Sequence, residues 1–277
     1  MKTIVLILVL LLTYPFNLQA QKKEKVKGDK EVITTSGEIT GDFNKLEVSN
    51  NLLVEIQTAN RNSYVLTTDQ NLAEEVEVEV RDGVLRVYTR SKIVKSKKLH
   101  LFLNLINIEE ISIKDDAVVE TSSKLRLDKI DLYINGSGEI DLDLEINGEA
   151  TLSMNDNSKG KLKIDARNMV VNMKNRSDLK ADIQTEDLQV ILSKSADAKL
   201  EGKASNVLFN LEGSSNLNAK KLKTQTAVLN SKNRSDIYVD ASKTIEIDAE
   251  GKSKIYVYGN PDIQIKGFTD KSRIIKK

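Results

Sequence analysis

The chain has 277 residues, with 42 Lys and Arg against 41 Asp and Glu, a formal net charge of +1, and no cysteine. The missing cysteine excludes a disulfide framework, a thiolate metal site, a thiol nucleophile and a lipid-modified cysteine. The balanced charge lacks the basic excess that nucleic-acid binding requires, so no nucleic-acid partner is expected.

In chain order, Lys2 precedes an apolar run from Ile4 to Leu12, and Leu18-Gln19-Ala20 comes after it. Charged start, short apolar stretch and small-residue site predict a signal peptide over residues 1–20, cleaved before Gln21. The apolar run is short of the roughly 20 residues a spanning helix needs, and no later segment is apolar enough. The mature protein is therefore expected to be exported (periplasm, cell surface or secreted) with no transmembrane segment. Residues 21–36, which open QKKEKVKGDKE, read as a charged flexible leader. Residues 37–113 read as a β-rich cap with the early rungs of a repeating stack. Val76 to Val80 alternate at period two, and Asp82-Gly83 joins them to Val84-Leu85-Arg86-Val87-Tyr88, a β-hairpin signal.

Residues 114–277 repeat one unit: a strand, a polar turn with a small residue, a polar residue, then a second strand. Examples are GSGEIDL at 136–142, RSDLKAD at 176–182 and RSDIYVD at 234–240. Taking Ile140, Leu162, Leu179, Ala198, Leu217, Ile237, Ile255 and Ile274 as the first apolar residue of each unit gives steps of 22, 17, 19, 19, 20, 18 and 19. A near-constant period of this length is the mark of a solenoid. Apolar residues recur at two, not at three and four, which excludes helices. Residues two apart share a strand face, so Leu142, Ile164, Ala181, Leu200, Ala219, Val239 and Val257 should form a second inward ladder. Pairs such as Leu152/Met154, Phe209/Leu211 and Ile245/Ile247 should do the same on the strand before the turn. The expected fold is all-β, a single-stranded parallel β-helix with rungs of about 19 residues and an irregular N-terminal cap.

Several features stand in a fixed order along the chain. Phe43-x-x-Leu46-x-Val48, Val54-x-Ile56, Leu72 and Asp82-Gly83-x-Leu85 come first. Gly136-Ser137-Gly138 is next, with degenerate turns at Ser158-Lys159-Gly160 and Gly213-Ser214-Ser215, and Tyr258-Gly259-Asn260-Pro261 closes the series. From about residue 40 to 277 this order resembles the head GIN domain family of auto-transporter adhesins. The resemblance implies an exported surface protein with an adhesive role. Fold alone does not carry function, and a pectin-lyase-type carbohydrate-active enzyme, also a parallel β-helix, is the alternative. A purely structural envelope protein is a third reading.

The residues offer little chemistry. The one histidine, His100, alternates with Leu99, Leu101 and Leu103 and so faces away from them, as a surface residue rather than a base. An acidic row of Glu139, Asp178, Asp197, Asn216 and Asp236 is interrupted by Lys161 and Lys254 and lacks the convergent oxygens calcium needs, so no metal is expected. No catalytic residue and no cofactor are predicted. The outward row Asp141, Lys163, Lys180, Lys199, Asn218, Tyr238 and Tyr256 carries a lysine stripe leading to two tyrosines. A tyrosine ring can lie on the apolar face of a sugar. Lys163, Lys180, Lys199, Asn218, Tyr238 and Tyr256 are therefore the candidate binding residues, for a glycan or an envelope or host-surface protein.

Overall fold

The computed structural model describes residues 24–277; the signal segment expected at 1–20 lies outside the described residues. The repeat is governed by its turn. In successive rungs Gly136, Asp156, Asn175, Lys194, Gly213, Asn233, Gly251 and Asp270 hold φ between 60° and 84°, the left-handed region. Gly, Asn and Asp enter it at little cost, which explains the polar turn. The next residue then donates its amide to the carbonyl of the left-handed residue one rung back: Arg176 to Asp156 at 2.8 Å, Ser195 to Asn175 at 2.9 Å, Ser214 to Lys194 at 2.6 Å. One residue further, the position faces the core and holds a small residue: Gly138, Ser158, Ser177, Ala196, Ser215, Ser235 and Ser253. Most of the buried hydroxyls are satisfied locally. Ser177, Ser215 and Ser235 donate to the carbonyls of Lys174, Glu212 and Lys232 at 3.1, 2.8 and 2.9 Å.

Between turns each rung is one long bent strand: Glu139–Met154, Lys159–Asn175, Asp178–Lys194, Asp197–Leu211, Asn216–Ser231 and Asp236–Ala249. Each pairs in parallel with the next. The bend, marked by the register shift between Ile146 and Glu149, divides a rung into a first and a second segment. Alternate residues of both segments are buried, so the core is one continuous cluster along the axis. The solenoid has about 9 turns, with rungs about 19 residues apart as the period predicts.

The register corrects the sequence frame in one rung. Ile140 pairs with Gly160, and Gly160 with Leu179. The steps are therefore 20 and 19 residues, not 22 and 17. Leu162 stands in the second ladder, between Leu142 and Ala181, in the place expected of Ile164. The cause is that Gly160 holds the first inward position without a side chain, so counting apolar residues starts two places late. Neighbours fill the gap: a Cβ on Gly160 would lie 2.9 Å from Leu179 Cδ1 and 3.3 Å from Met154 Cε. The second-segment ladder shifts likewise, since Ile247 rather than Ile245 stacks in line with Leu229 and Phe209.

At the N-terminal end, spatial order departs from chain order. Val84–Thr89 and Leu99–Leu105 form the outermost parallel rung, Lys45–Val48 and Leu53–Thr58 the next, and Glu110–Ile113 and Val118–Thr121 the third. Antiparallel strands then close the end. Val76–Arg81 folds onto Val84–Thr89 through the Asp82-Gly83 turn, Ser63–Asp69 lies on Leu99–Leu105, and Val32–Glu38 lies on Ser63–Asp69. This covers the core edge, as an end cap must.

The charged segment expected as a flexible leader at 21–36 is, from residue 24, part of this structure. Lys25–Lys27 pairs with Lys92–Lys95, and Val32–Glu38 is the outer antiparallel strand. The physical cause is Asp69, which is fully buried. Its carboxylate accepts the backbone amides of Lys30 at 3.1 Å, Lys97 at 3.0 Å and Lys98 at 3.2 Å, tying the leader and the 96–98 loop to one anion. Gly28 passes so close that a Cβ there would lie 1.8 Å from Asp69 Oδ2. Burial alone would push the carboxyl up, but the three amides outweigh it and hold Asp69 below the usual carboxylate range.

The core and the cap can each be tested by substitution. Leu200 is buried and Lys199 exposed, so Leu200→Ala should cost about 2–5 kcal/mol in urea unfolding, while Lys199→Ala should stay within about 0.5 kcal/mol. Asp69 ionises more readily folded than unfolded, so its stabilisation is present above the unfolded value of about 3.9 and is lost as pH falls through its lower folded value. Asp69→Asn should melt below wild type at neutral pH, with the gap closing under acid. A gap that stays constant down to about pH 2, below the unfolded value, would remove Asp69 from this role.

Candidate binding face

Three outward columns line the first segments. The outer one runs Glu139, Lys159, Asp178, Asp197, Asn216, Asp236, Lys254. The middle one runs Asp141, Lys161, Lys180, Lys199, Asn218, Tyr238, Tyr256. The third runs Asp143, Lys163, Asp182, Glu201. Five of the six expected binding residues, Lys180, Lys199, Asn218, Tyr238 and Tyr256, thus share one column. Lys163 does not: the Gly160 offset moves it to the third column and puts Lys161 in its place. By the same offset Lys159, not Lys161, interrupts the acidic row. The middle column continues beyond Asp141 through Glu120 and Glu55. His100 lies beside this end, its Nε2 3.1 Å from Glu55 Oε2.

The charges pair unevenly. Lys159, Lys161 and Lys163 bridge to Glu139, Asp141 and Asp143 of the preceding rung at 2.9, 3.2 and 3.3 Å. The hydrogen bond and charge of Glu139 hold the Lys159 ammonium above its ordinary pKa. Exposed pairs of this kind are screened by solvent and contribute little to stability. In the next two rungs, Lys180 and Lys199 form no ion pair among the described residues. Each has acidic residues two places away on its own strand, Asp178 and Asp182 for one, Asp197 and Glu201 for the other. An open groove of about 610 Å³ runs along the columns from Glu120 and Asp141 to Lys199 and Glu201.

Tyr238 and Tyr256 are in register, as their repeat positions predict. Their ring centroids are 4.3 Å apart and their planes 6° from parallel. Each ring therefore covers one face of the other, and Lys277 Nζ lies 5.6 Å from the Tyr256 centroid. Burial, then the neighbouring Tyr256, pushes the Tyr238 hydroxyl above the usual phenol value. This corrects the mode of contact expected from sequence. Rings stacked along the axis turn their edges outward, so the pair is no open platform for a sugar ring. It offers aromatic edges and hydroxyls beside the Asn218 amide. Among the described residues no group of three His, Asp or Glu is arranged to hold a metal ion.

Comparison with known proteins agrees with the fold. The model of a family described as "Putative auto-transporter adhesin, head GIN domain" matches residues 42–163 and again 143–261. Among solved structures, the chain is similar to a putative adhesin from Parabacteroides distasonis ATCC 8503, at 16% identity and TM-score 0.71, covering 92% of this chain and 100% of that one. A putative adhesin from Parabacteroides merdae ATCC 43184 matches at 17% identity and TM-score 0.68, covering 92% and 99%. A putative lipid binding protein from P. distasonis matches at 17% identity and TM-score 0.60, covering 91% and 97%. At these identities the likeness is one of fold. No curated protein matches the chain.

Proposed function

This chain belongs to the head GIN domain family of auto-transporter adhesins, and from that starting point we propose an exported, non-catalytic binding protein whose charged face engages a glycan or an envelope or host-surface protein. No helix among the described residues is long and apolar enough to cross a membrane. The observation that carries the proposal is the middle column. Two ammonium groups without ion pairs among the described residues, Lys180 and Lys199, stand on consecutive rungs and lead to the Asn218 amide and the tyrosine hydroxyls. Parallel pairing sets them about 4.8 Å apart along the axis. A ladder of donors at that interval suits an extended partner lying along the axis and making several modest contacts. Ammonium groups held out from a surface by flexible stems contribute through such multiplicity more than through any one fixed geometry.

The test is a glycan and matrix-protein screen, then titration of the best ligand against Lys180→Ala/Lys199→Ala and Tyr238→Ala/Tyr256→Ala. Each double variant should lose affinity about tenfold or more, equivalent to ~1.4 kcal/mol. Binding through the lysines should also weaken as salt rises. Affinity unchanged in both variants would move the site off this column, and turnover of polygalacturonate by wild type would overturn the non-catalytic reading.

A further inference from the structure

The second segments carry a different surface. One outward column runs Thr151, Val170, Gln189, Leu208, Val228, and beside it runs Ser153, Asn172, Ile191, Asn210, Asn230. Neither column of five contains a charged residue. On the first segments of four of these five rungs, all three outward positions are charged, from Glu139, Asp141 and Asp143 through to Asp197, Lys199 and Glu201. In a chain with 30% charged residues, a neutral surface five rungs long, on rungs whose first segments are fully charged in four cases and carry Asn216 and Asn218 in the fifth, is a segregation by face. All ten side chains are at least partly accessible, and Val228 is 39% exposed. Charge returns at the margins. Along the axis Asp131 precedes Thr151, and Glu246 and Asp248 come after Val228 and Asn230; to the sides, one flanking column mixes Glu149 and Asp187 with Asn168, Asn206 and Thr226, and the other sets Lys174 beside Ser193. A charge-depleted centre of aliphatic and amide groups inside a polar, partly charged rim is the anatomy of a contact surface.

We propose that this face binds a neutral polysaccharide. A charged partner would bring an ion onto a surface with no counter-charge, at a desolvation cost nothing repays. A second copy or another protein would need about 800 Å² on each side. Five rungs at ~4.8 Å and five residues at ~3.3 Å give a face of about 400 Å², half of that. An uncharged glycan fits both limits. Its hydroxyls donate and accept, as do the side-chain amides of Asn172, Gln189 and Asn210, and its C–H surfaces can lie on Val170, Leu208 and Val228. Asn230 Nδ2 donates to Asn210 Oδ1 at 2.6 Å, so the amides are already aligned along the axis. This assignment is independent of the charged face and stands or falls without it.

The test is affinity electrophoresis of the exported chain in gels containing hydroxyethylcellulose, xylan or polygalacturonate, with retention on insoluble cellulose and chitin measured alongside. At least one neutral polymer should retain the protein, and retention should be insensitive to salt. Leu208→Asp and Asn210→Asp should each lower that affinity tenfold or more. Asn210→Asp still accepts the Asn230 bond, so its fold should hold, which a thermal melt checks. Lys180→Ala/Lys199→Ala should leave retention unchanged. No retention by any neutral polymer would overturn the proposal, as would loss in the lysine variant or indifference to both aspartates. A sedimenting dimer that Leu208→Asp dissociates would overturn it too, by assigning the face to a second copy.

Discussion

The structure depends on one interaction repeated from rung to rung: the amide after the left-handed turn residue bonds to the carbonyl of the left-handed residue one rung back. Where Arg176 meets Asp156 and Ser195 meets Asn175, the turn itself joins the parallel ladder. A two-residue spacing then brings a small side chain inward, and the strand starts at a fixed phase. Because side chains alternate along a strand, a slip of one residue would turn the whole inward set to solvent. The turn column prevents that slip, and every surface column inherits its alignment from it.

Two faces arise from that alignment, with opposite chemistry. The first segments place charge at outward positions, partly neutralised between rungs and, among the described residues, left without ion pairs at Lys180 and Lys199. The second segments place amides and aliphatics outward. A solenoid suits this division, since each rung adds one residue to every column and a property repeated in sequence becomes a stripe in space. The cap contributes differently. Asp69 gathers three backbone amides from distant segments and so makes the charged N-terminal stretch part of the fold.

Much of this was legible in the sequence. Period-two alternation and the recurring Asn, Asp and Gly turns pointed to the parallel solenoid, and the Asp82-Gly83 pair to the hairpin. The phase of one rung was not legible, because Gly160 is silent in a count of apolar residues, and that silence displaced Lys163 from its true column. The placement of 84–105 outside 45–58 was hidden too, since both stretches alternate alike and nothing local ranks them in space. Asp69 reads as an ordinary polar residue at a strand end; only the fold brings Lys30, Lys97 and Lys98 to it. The stacked tyrosines show a further limit, because register predicts adjacency but not which way the rings turn. The uncharged face appears only when five rungs are aligned, so no single strand announces it.

Register is the claim on which the columns rest, and the absence of cysteine makes it directly measurable. In-register Lys161 and Lys180 have Cα atoms about 4.8 Å apart, within the range a disulfide spans. Lys163 lies two residues along the strand, about 8 Å from Lys180 by the same spacings, which is beyond that range. Under mild oxidation, Lys161→Cys/Lys180→Cys should crosslink rapidly and keep the wild-type melting behaviour, while Lys163→Cys/Lys180→Cys should remain reduced. The reverse pattern would contradict the register and, with it, the assignment of every outward column.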